Sequence, residues 1–144
     1  MSEYTALLPI DTETNRAKRA AEAVLSLPGE PDEITAVLLH VVEPFRGTDE
    51  GPMVDTDDIY EGGELPNSVD AARELLEGAG ITVETRRVKG DASEVILDVS
   101  RELDVDSIVM SGRKRSPTGK VLFGSTVQSV LLSAERPVIT VLAE

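Results

Sequence analysis

Glu33 to Val42 reads EITAVLLHVV, a stretch nearly continuous in apolar residues. A strand with one wet face alternates polar and apolar positions, whereas an unbroken apolar run suits a strand covered on both faces, as inside a parallel sheet. His40 within that run reads as a core histidine rather than a catalytic one.

Working outward, the chain alternates strands and helices. Tyr4 to Ile10 (YTALLPI) is an apolar run ending at Asp11, the first strand. Residues 12–27 (TETNRAKRAAEAVLSL) carry Ala17, Ala20, Ala21, Val24 and Leu25 on one helical face, with Thr12 or Thr14 as cap and Pro28-Gly29 as stop. Glu43 to Pro66 is acidic, rich in Gly and Pro and without periodicity, which predicts a long mobile loop. Asn67 or Ser68 is expected to cap the next helix, with Val69, Ala72, Leu75 and Leu76 on one face and Gly78 and Gly80 at its end. Ile81 to Val88 (ITVETRRV) alternates, which places it at a sheet edge. Asp91 and Glu94 form a capping-box pattern before a helix that buries Val95, Ile96, Val99 and Leu103. Ser107 to Ser111 (SIVMS) is the fourth strand. Ser125 and Gln128 form a second box, opening a helix with Val127, Val130 and Leu131 inward, and Pro137 to Leu142 (PVITVL) is the last strand. The expectation is one domain over residues 1–144, an α/β doubly wound sheet of five parallel strands with right-handed crossovers.

The 144 residues suffice for one core, built from Val, Ile, Leu and Ala because only 3% are aromatic. There is no Cys and one His, which excludes disulfides and argues against a dedicated zinc or copper site. A formal net charge of −13 makes nucleic acid and anionic membrane poor partners. It fits an ordinary soluble acidic protein or, the preferred reading, a halophilic one adapted to a high-salt cytosol where repulsion is screened. No signal-peptide pattern or apolar run near 18 residues is visible, so the cytoplasm is the expected compartment.

Ligands of doubly wound sheets bind beyond the carboxyl ends of the strands, where strand order reverses. Among the loops there, Gly112 to Gly124 differs from the rest of this acidic chain. Within it, GRKRSPTGK places Arg113, Lys114, Arg115 and Lys120 within eight positions, and Gly124-Ser125-Thr126 then opens a helix. A helix N-terminus offers N–H groups and partial positive charge to an anion, so the stretch reads as a phosphate or nucleotide site, or else as a solvated loop that relieves carboxylate repulsion. Other nucleotide motifs are missing: Gly112 to Gly119-Lys120-Val121 lacks the P-loop spacing and its Ser/Thr, and no G-x-G-x-x-G follows the first strand. No G-x-S-x-G elbow occurs either. Asp11 can accept from a ribose hydroxyl, hold Mg²⁺ through water, or cap the helix that follows it.

The pattern V-M-x-G-x-x-R-S at the fourth strand, followed by L-F-G-S-T at a helix start, resembles the universal stress protein family. L-P-I-D closing the first strand, V-L-L-H-V-V-E in the second and R-P-V-I-T-V-L at the end extend the resemblance over essentially the whole chain. It implies strand order 3-2-1-4-5, with Asp11 and Gly112 flanking the switch point, and a homodimer through pairing of strand 137–142. Nucleotide-binding members carry G-x2-G-x9-G followed by Ser or Thr. Laid on this chain without gaps, the first glycine falls on Ser111, the second on Lys114 and the third on Gly124, with Gly112 displaced by one. The resemblance assigns base and ribose contacts to Pro9, Asp11, Val41 and Met110, and phosphate contacts to Ser111, Gly124, Ser125 and Thr126. Arg115-Ser116 aligns with the R-S pair that often follows the second glycine.

The expected function is a stress-response protein that binds an adenine nucleotide, ATP or AMP, through these residues together with Gly112, Arg113, Lys114 and Arg115, with Mg²⁺ optional and at most slow hydrolysis. The alternative is a dimeric module of the same family that binds a protein partner without nucleotide. The basic loop favours the first and the two substituted glycines favour the second.

Overall fold

The computed structural model describes residues 4–43, 65–113 and 124–143. Its elements are β1 (Tyr4–Pro9), α1 (Thr14–Leu25), a 3-10 turn (Pro31–Glu33), β2 (Ile34–Val42), α2 (Asn67–Gly78), β3 (Thr82–Lys89), α3 (Ala92–Glu102), β4 (Ser107–Arg113), α4 (Ser125–Ser133) and β5 (Val138–Ala143). The strands form one parallel sheet in the order β3-β2-β1-β4-β5. This is the doubly wound architecture and strand order expected. Positions 44–64 of the long loop lie outside the described residues.

β2 behaves as its apolar run requires: Ile34, residues 36–40 and Val42 are buried. Alternate residues of the central strands serve two cores. Ala6, Leu8, Ala36, Leu38 and Val109 pack with Ala17, Ala20, Ala21 and Val24 of α1 and Val69, Ala72 and Leu76 of α2. Leu7, Val37, Leu39, Ile108 and Met110 pack on the other side with Ile96 and Val99 of α3 and Val127 and Val130 of α4. Each fully buried Leu or Val contributes about 1.5–3 kcal/mol. β3 is an edge strand, as its alternation predicts, and none of its residues is fully buried.

Several turns follow from single residues. α2 ends in a Schellman motif, with Gly80 N–H on the Glu77 carbonyl and Ile81 N–H on the Leu76 carbonyl. Gly80 takes φ +92° there, which a side chain would strain. Gly90, at φ +152°, turns β3 into α3, and a Cβ on it would stand 2.9 Å from Val95 Cγ2. Asp91 caps α3 as its pattern predicts, its carboxylate accepting from Glu94 N–H at 3.2 Å.

The other three helix starts differ from expectation. α1 is capped by neither Thr12 nor Thr14: its N-cap is Glu13, and the Asp11 carboxylate reaches forward to Glu13 N–H. α2 begins after Pro66, and Ser68 turns inward, buried, to donate to the Asp11 carbonyl. α4 starts one residue before the predicted box: Gly124 is the N-cap, so Ser125 is already helical and cannot act as cap. Leu25 and Leu131, expected inside, are about two-fifths exposed, each at the rim of its helix's apolar stripe.

The feature that positions a site is the parting of β1 and β4. Their pairing covers Ala6 with Ser107 and Leu7 with Ile108, while β1 continues to Pro9 and β4 to Arg113. On its other side β1 stays paired with β2 to Pro9 and Leu39. Pro9 has no N–H to extend a ladder. The switch point therefore opens as a crevice between the carboxyl ends of β1 and β4.

Candidate functional site

That crevice holds a pocket of about 500 Å³. Apolar walls come from Pro9, Val41, Ile96, Met110 and Val127, and polar groups from Asp11, Thr12, Glu43, Ser111 and Thr126. Pro9, Asp11, Val41, Met110, Ser111 and Thr126, singled out in the sequence, thus come together around one cavity. Gly124 and Ser125 stand at the start of the same helix as Thr126, and Gly112 is buried in β4 between Ser111 and Arg113. Arg113 is the last residue of β4. Lys114 and Arg115 lie outside the described residues.

The two ends of the pocket differ electrically. At one end α4 begins at Gly124 with no side-chain cap among the described residues and no acidic residue in its first turn. The first N–H groups of a helix have no partner within it, and with the helix dipole they favour an anion. At the other end Glu43 follows β2, and its Oε2 accepts the Ala92 N–H of α3 at 3.0 Å. With Asp91 on Glu94 N–H, the start of α3 is already served by two carboxylates.

Asp11 lies between these ends. Its Oδ1 accepts from Glu13 N–H at 2.9 Å, and its Oδ2 from Arg16 Nε at 3.0 Å and Nη2 at 2.8 Å. The capping role weighed for it is therefore present, shared with an ion pair. The side chain remains half exposed, so it keeps acceptor capacity toward the pocket. A water-bridged Mg²⁺ does not fit this carboxylate well, because the Arg16 guanidinium already occupies Oδ2. No group of three His, Cys, Asp or Glu among the described residues could hold a metal ion.

His40 is buried, with Nδ1 3.0 Å from the Ile10 carbonyl, the satisfied core histidine anticipated. It also borders the pocket floor. Ser111 Oγ is buried with no hydrogen-bond partner among the described residues. Sequence reasoning missed Glu43, Ile96 and Val127. Glu43 sat at the head of an unpatterned loop, and the other two read as core positions of their helices, which they also are. A signal for Glu43 existed in its position, the first residue beyond a buried strand.

No helix among the described residues is long and apolar enough to cross a membrane. A model of the universal stress protein family matches residues 4–141. A universal stress protein of Mycolicibacterium smegmatis is 31% identical over 112 residues, covering 74% of this chain and 86% of that protein. A second protein of that organism, also a universal stress protein, is 28% identical over 97% of the chain, which spans about half of its length (48%). Among solved structures, a universal stress protein from Archaeoglobus fulgidus is 27% identical with a TM-score of 0.68, covering 95% of this chain and 97% of that one. A universal stress protein from the same organism, solved in complex with dAMP, is 22% identical with a TM-score of 0.65 over 97% of this chain and 98% of that one. At that identity the likeness concerns the fold alone. The match along nearly the whole sequence, the strand order and the parted switch point agree, and the chain belongs to the universal stress protein family.

Proposed function

We propose that the protein binds an adenine nucleotide in the pocket between β1 and β4, as a cytoplasmic stress-response protein. The observation that carries the reading is the pairing of an apolar slot with an uncapped helix N-terminus in one cavity. Pro9, Val41 and Met110 are of the right character to enclose a base. The β1–β2 ladder ends at Leu39, so Val41 is the next β2 residue whose peptide groups turn toward the crevice and can meet a base edge. Asp11 keeps acceptor capacity for a ribose hydroxyl. Phosphates go to the α4 end, where the amides of Ser125 and Thr126 and their hydroxyls can donate, with Gly112 allowing the chain to pass close by. By sequence, Arg113 at the end of β4 and Lys114 and Arg115 after it are the basic residues offered for the phosphate charge. The Ser111 hydroxyl, without a partner among the described residues, would gain one from a ligand oxygen, worth about 1–3 kcal/mol. The dAMP complex of a protein with the same fold supports the choice of adenine. Mg²⁺ would arrive with the phosphates rather than on a protein site.

Micromolar affinity requires about −8 kcal/mol. The helix dipole gives about 0.3–1 kcal/mol and each charged hydrogen bond about 1.5–3 kcal/mol, so burial of the base must supply a comparable share. Calorimetry with AMP and ATP at low salt, with and without Mg²⁺, tests the proposal. Absence of binding heat for both refutes it. A second reading, a dimeric interaction module without nucleotide, is favoured by Ser111 and Lys114 standing at two of the three glycine positions, and such a null result would support it.

A further inference from the structure

We infer that Glu43 is a base-specificity residue, one that selects a nucleobase bearing an exocyclic amine over the corresponding oxo base. The inference rests on the nucleotide reading above and extends it to the far end of the pocket. Glu43 is the first residue past β2, two positions beyond Val41, and strand alternation puts both on the side of the sheet where Val41, Ile96 and Met110 pack. Its carboxylate is not swinging freely: Oε2 is fixed on Ala92 N–H at 3.0 Å, and Ala92 itself lines the cavity. A tethered carboxylate has lone pairs left on both oxygens and accepts hydrogen bonds without donating any. At the opposite end, α4 has no side-chain cap among the described residues and no acid in its first turn.

The pocket is thus polarised, with acceptors at the β2–α3 end and donors at the β4–α4 end. A nucleotide placed with its phosphates at α4 brings the far edge of its base toward Glu43. An amine there, as on adenine, donates to the carboxylate. A carbonyl there, as on hypoxanthine, meets it oxygen to oxygen. Enclosed sites built on such pairs reject the wrong partner by several orders of magnitude. Glu43 is exposed, so water screens the contact and the discrimination is smaller, roughly tenfold or more.

The competing explanation is that Glu43 serves only to hold the start of α3. Glu43→Gln separates the two, because the amide oxygen still accepts from Ala92 N–H while the NH₂ group can donate to a base carbonyl. Calorimetric titration of the full chain with ATP and with ITP, which share the same ribose and phosphates, is the experiment. The expected result is at least about tenfold preference for ATP in the wild type, falling to within about threefold in Glu43→Gln, with the thermal midpoint of the unliganded protein unchanged to within about 1 °C. Equal affinity of the wild type for ATP and ITP overturns the inference and leaves nucleotide binding intact, as does a preference that survives Glu43→Gln. Failure of both nucleotides to bind the wild type overturns the inference together with the reading beneath it.

Discussion

Replacing Gly124 with Asp should make the protein more stable and a poorer nucleotide binder at once. Gly124 is the N-cap of α4 at φ −67° and ψ 167°, an extended conformation open to any residue, and a Cβ built there meets nothing within 4 Å. The substitution is therefore tolerated sterically. Its carboxylate would accept from the amides of the first turn, improving on Gly by a few tenths of a kcal/mol, with about 0.3–1 kcal/mol more from the helix dipole. A gain of about 0.5–1 kcal/mol corresponds to roughly 1–4 °C in Tm for a chain of this size. The same carboxylate would occupy the position proposed for the phosphates. Binding would lose the dipole contribution and gain like-charge repulsion of about 1–3 kcal/mol at an effective dielectric between those of surface and water. Affinity for ATP should fall roughly 10- to 100-fold. Gly124→Asn caps comparably without the charge, so it should stabilise less and cost less affinity. Thermal melts and calorimetry on the three proteins read both quantities. Wild-type ATP affinity in Gly124→Asp would show that the phosphates are not at α4, while a drop in Tm would show that the start of α4 is not the open N-terminus described.

Val41→Trp should weaken AMP and ATP about equally, because it fills the base slot, whereas replacing Arg113 and Arg115 with Ala should weaken ATP more than AMP; calorimetry that shows the opposite order would reverse the assigned orientation. β5 is an edge strand at the far side of the sheet from β3, and we propose that two copies pair there, each removing the other's open edge. Val141→Glu should then shift the protein from dimer to monomer in sedimentation velocity, and a wild-type monomer at micromolar concentration refutes the pairing. With a net charge of −13, the folded state should gain stability as KCl rises from millimolar to molar, seen as an increasing Tm, and a flat or falling trend would remove the case for a high-salt setting.

The sheet was legible because burial on both faces leaves a mark in composition: the β2 run and the shorter runs of β1 and β4 carry few polar interruptions. Edge strand β3 was equally plain from its alternation. Strand order was not written in any periodicity and came with the family resemblance. Helix starts were the weakest point. A Ser or Thr before a helix looks like a cap in sequence, yet Asp11 reached past Thr12 to take Glu13 N–H, and Ser68 was drawn inward to the Asp11 carbonyl. In both cases a long-range or longer-reaching contact outcompeted the local one, which sequence spacing cannot rank. The pocket residues read from strand ends were found together. Those supplied by helices, Ile96 and Val127, were hidden because a residue that walls a crevice and one that fills a core have the same apolar signature. Arg16, which holds Asp11, looked like any solvent-facing helical cation until the fold brought it back onto the β1 terminus.

The four described helix starts, taken together, bear on the direction proposed for a ligand in the pocket. Asp11 accepts the amide of Glu13, the N-cap of α1, and Glu43 with Asp91 serves the first amides of α3. α2 follows Pro66 and carries Asp70 in its first turn. Among the described residues α4 has no capping side chain, and its first turn, like that of α1, holds no acid. With Gly124 as the N-cap, leaving out a capping side chain forgoes a few tenths of a kcal/mol, and leaving out an acid about 0.3–1 kcal/mol more. In a chain with 27 acidic residues, an acid-free first turn beside a cavity is the arrangement a bound anion would require. An anion arriving there would act as the missing cap, so it would stabilise the fold by RT ln(1 + [L]/Kd) while being held by the amides it satisfies. Because α3 is closed to anions by Glu43, the same ligand turned end for end would set phosphate against carboxylate. On the proposed reading, the protein's own side chains would favour one orientation of a nucleotide in this pocket, with its base at β2 and its phosphates at α4.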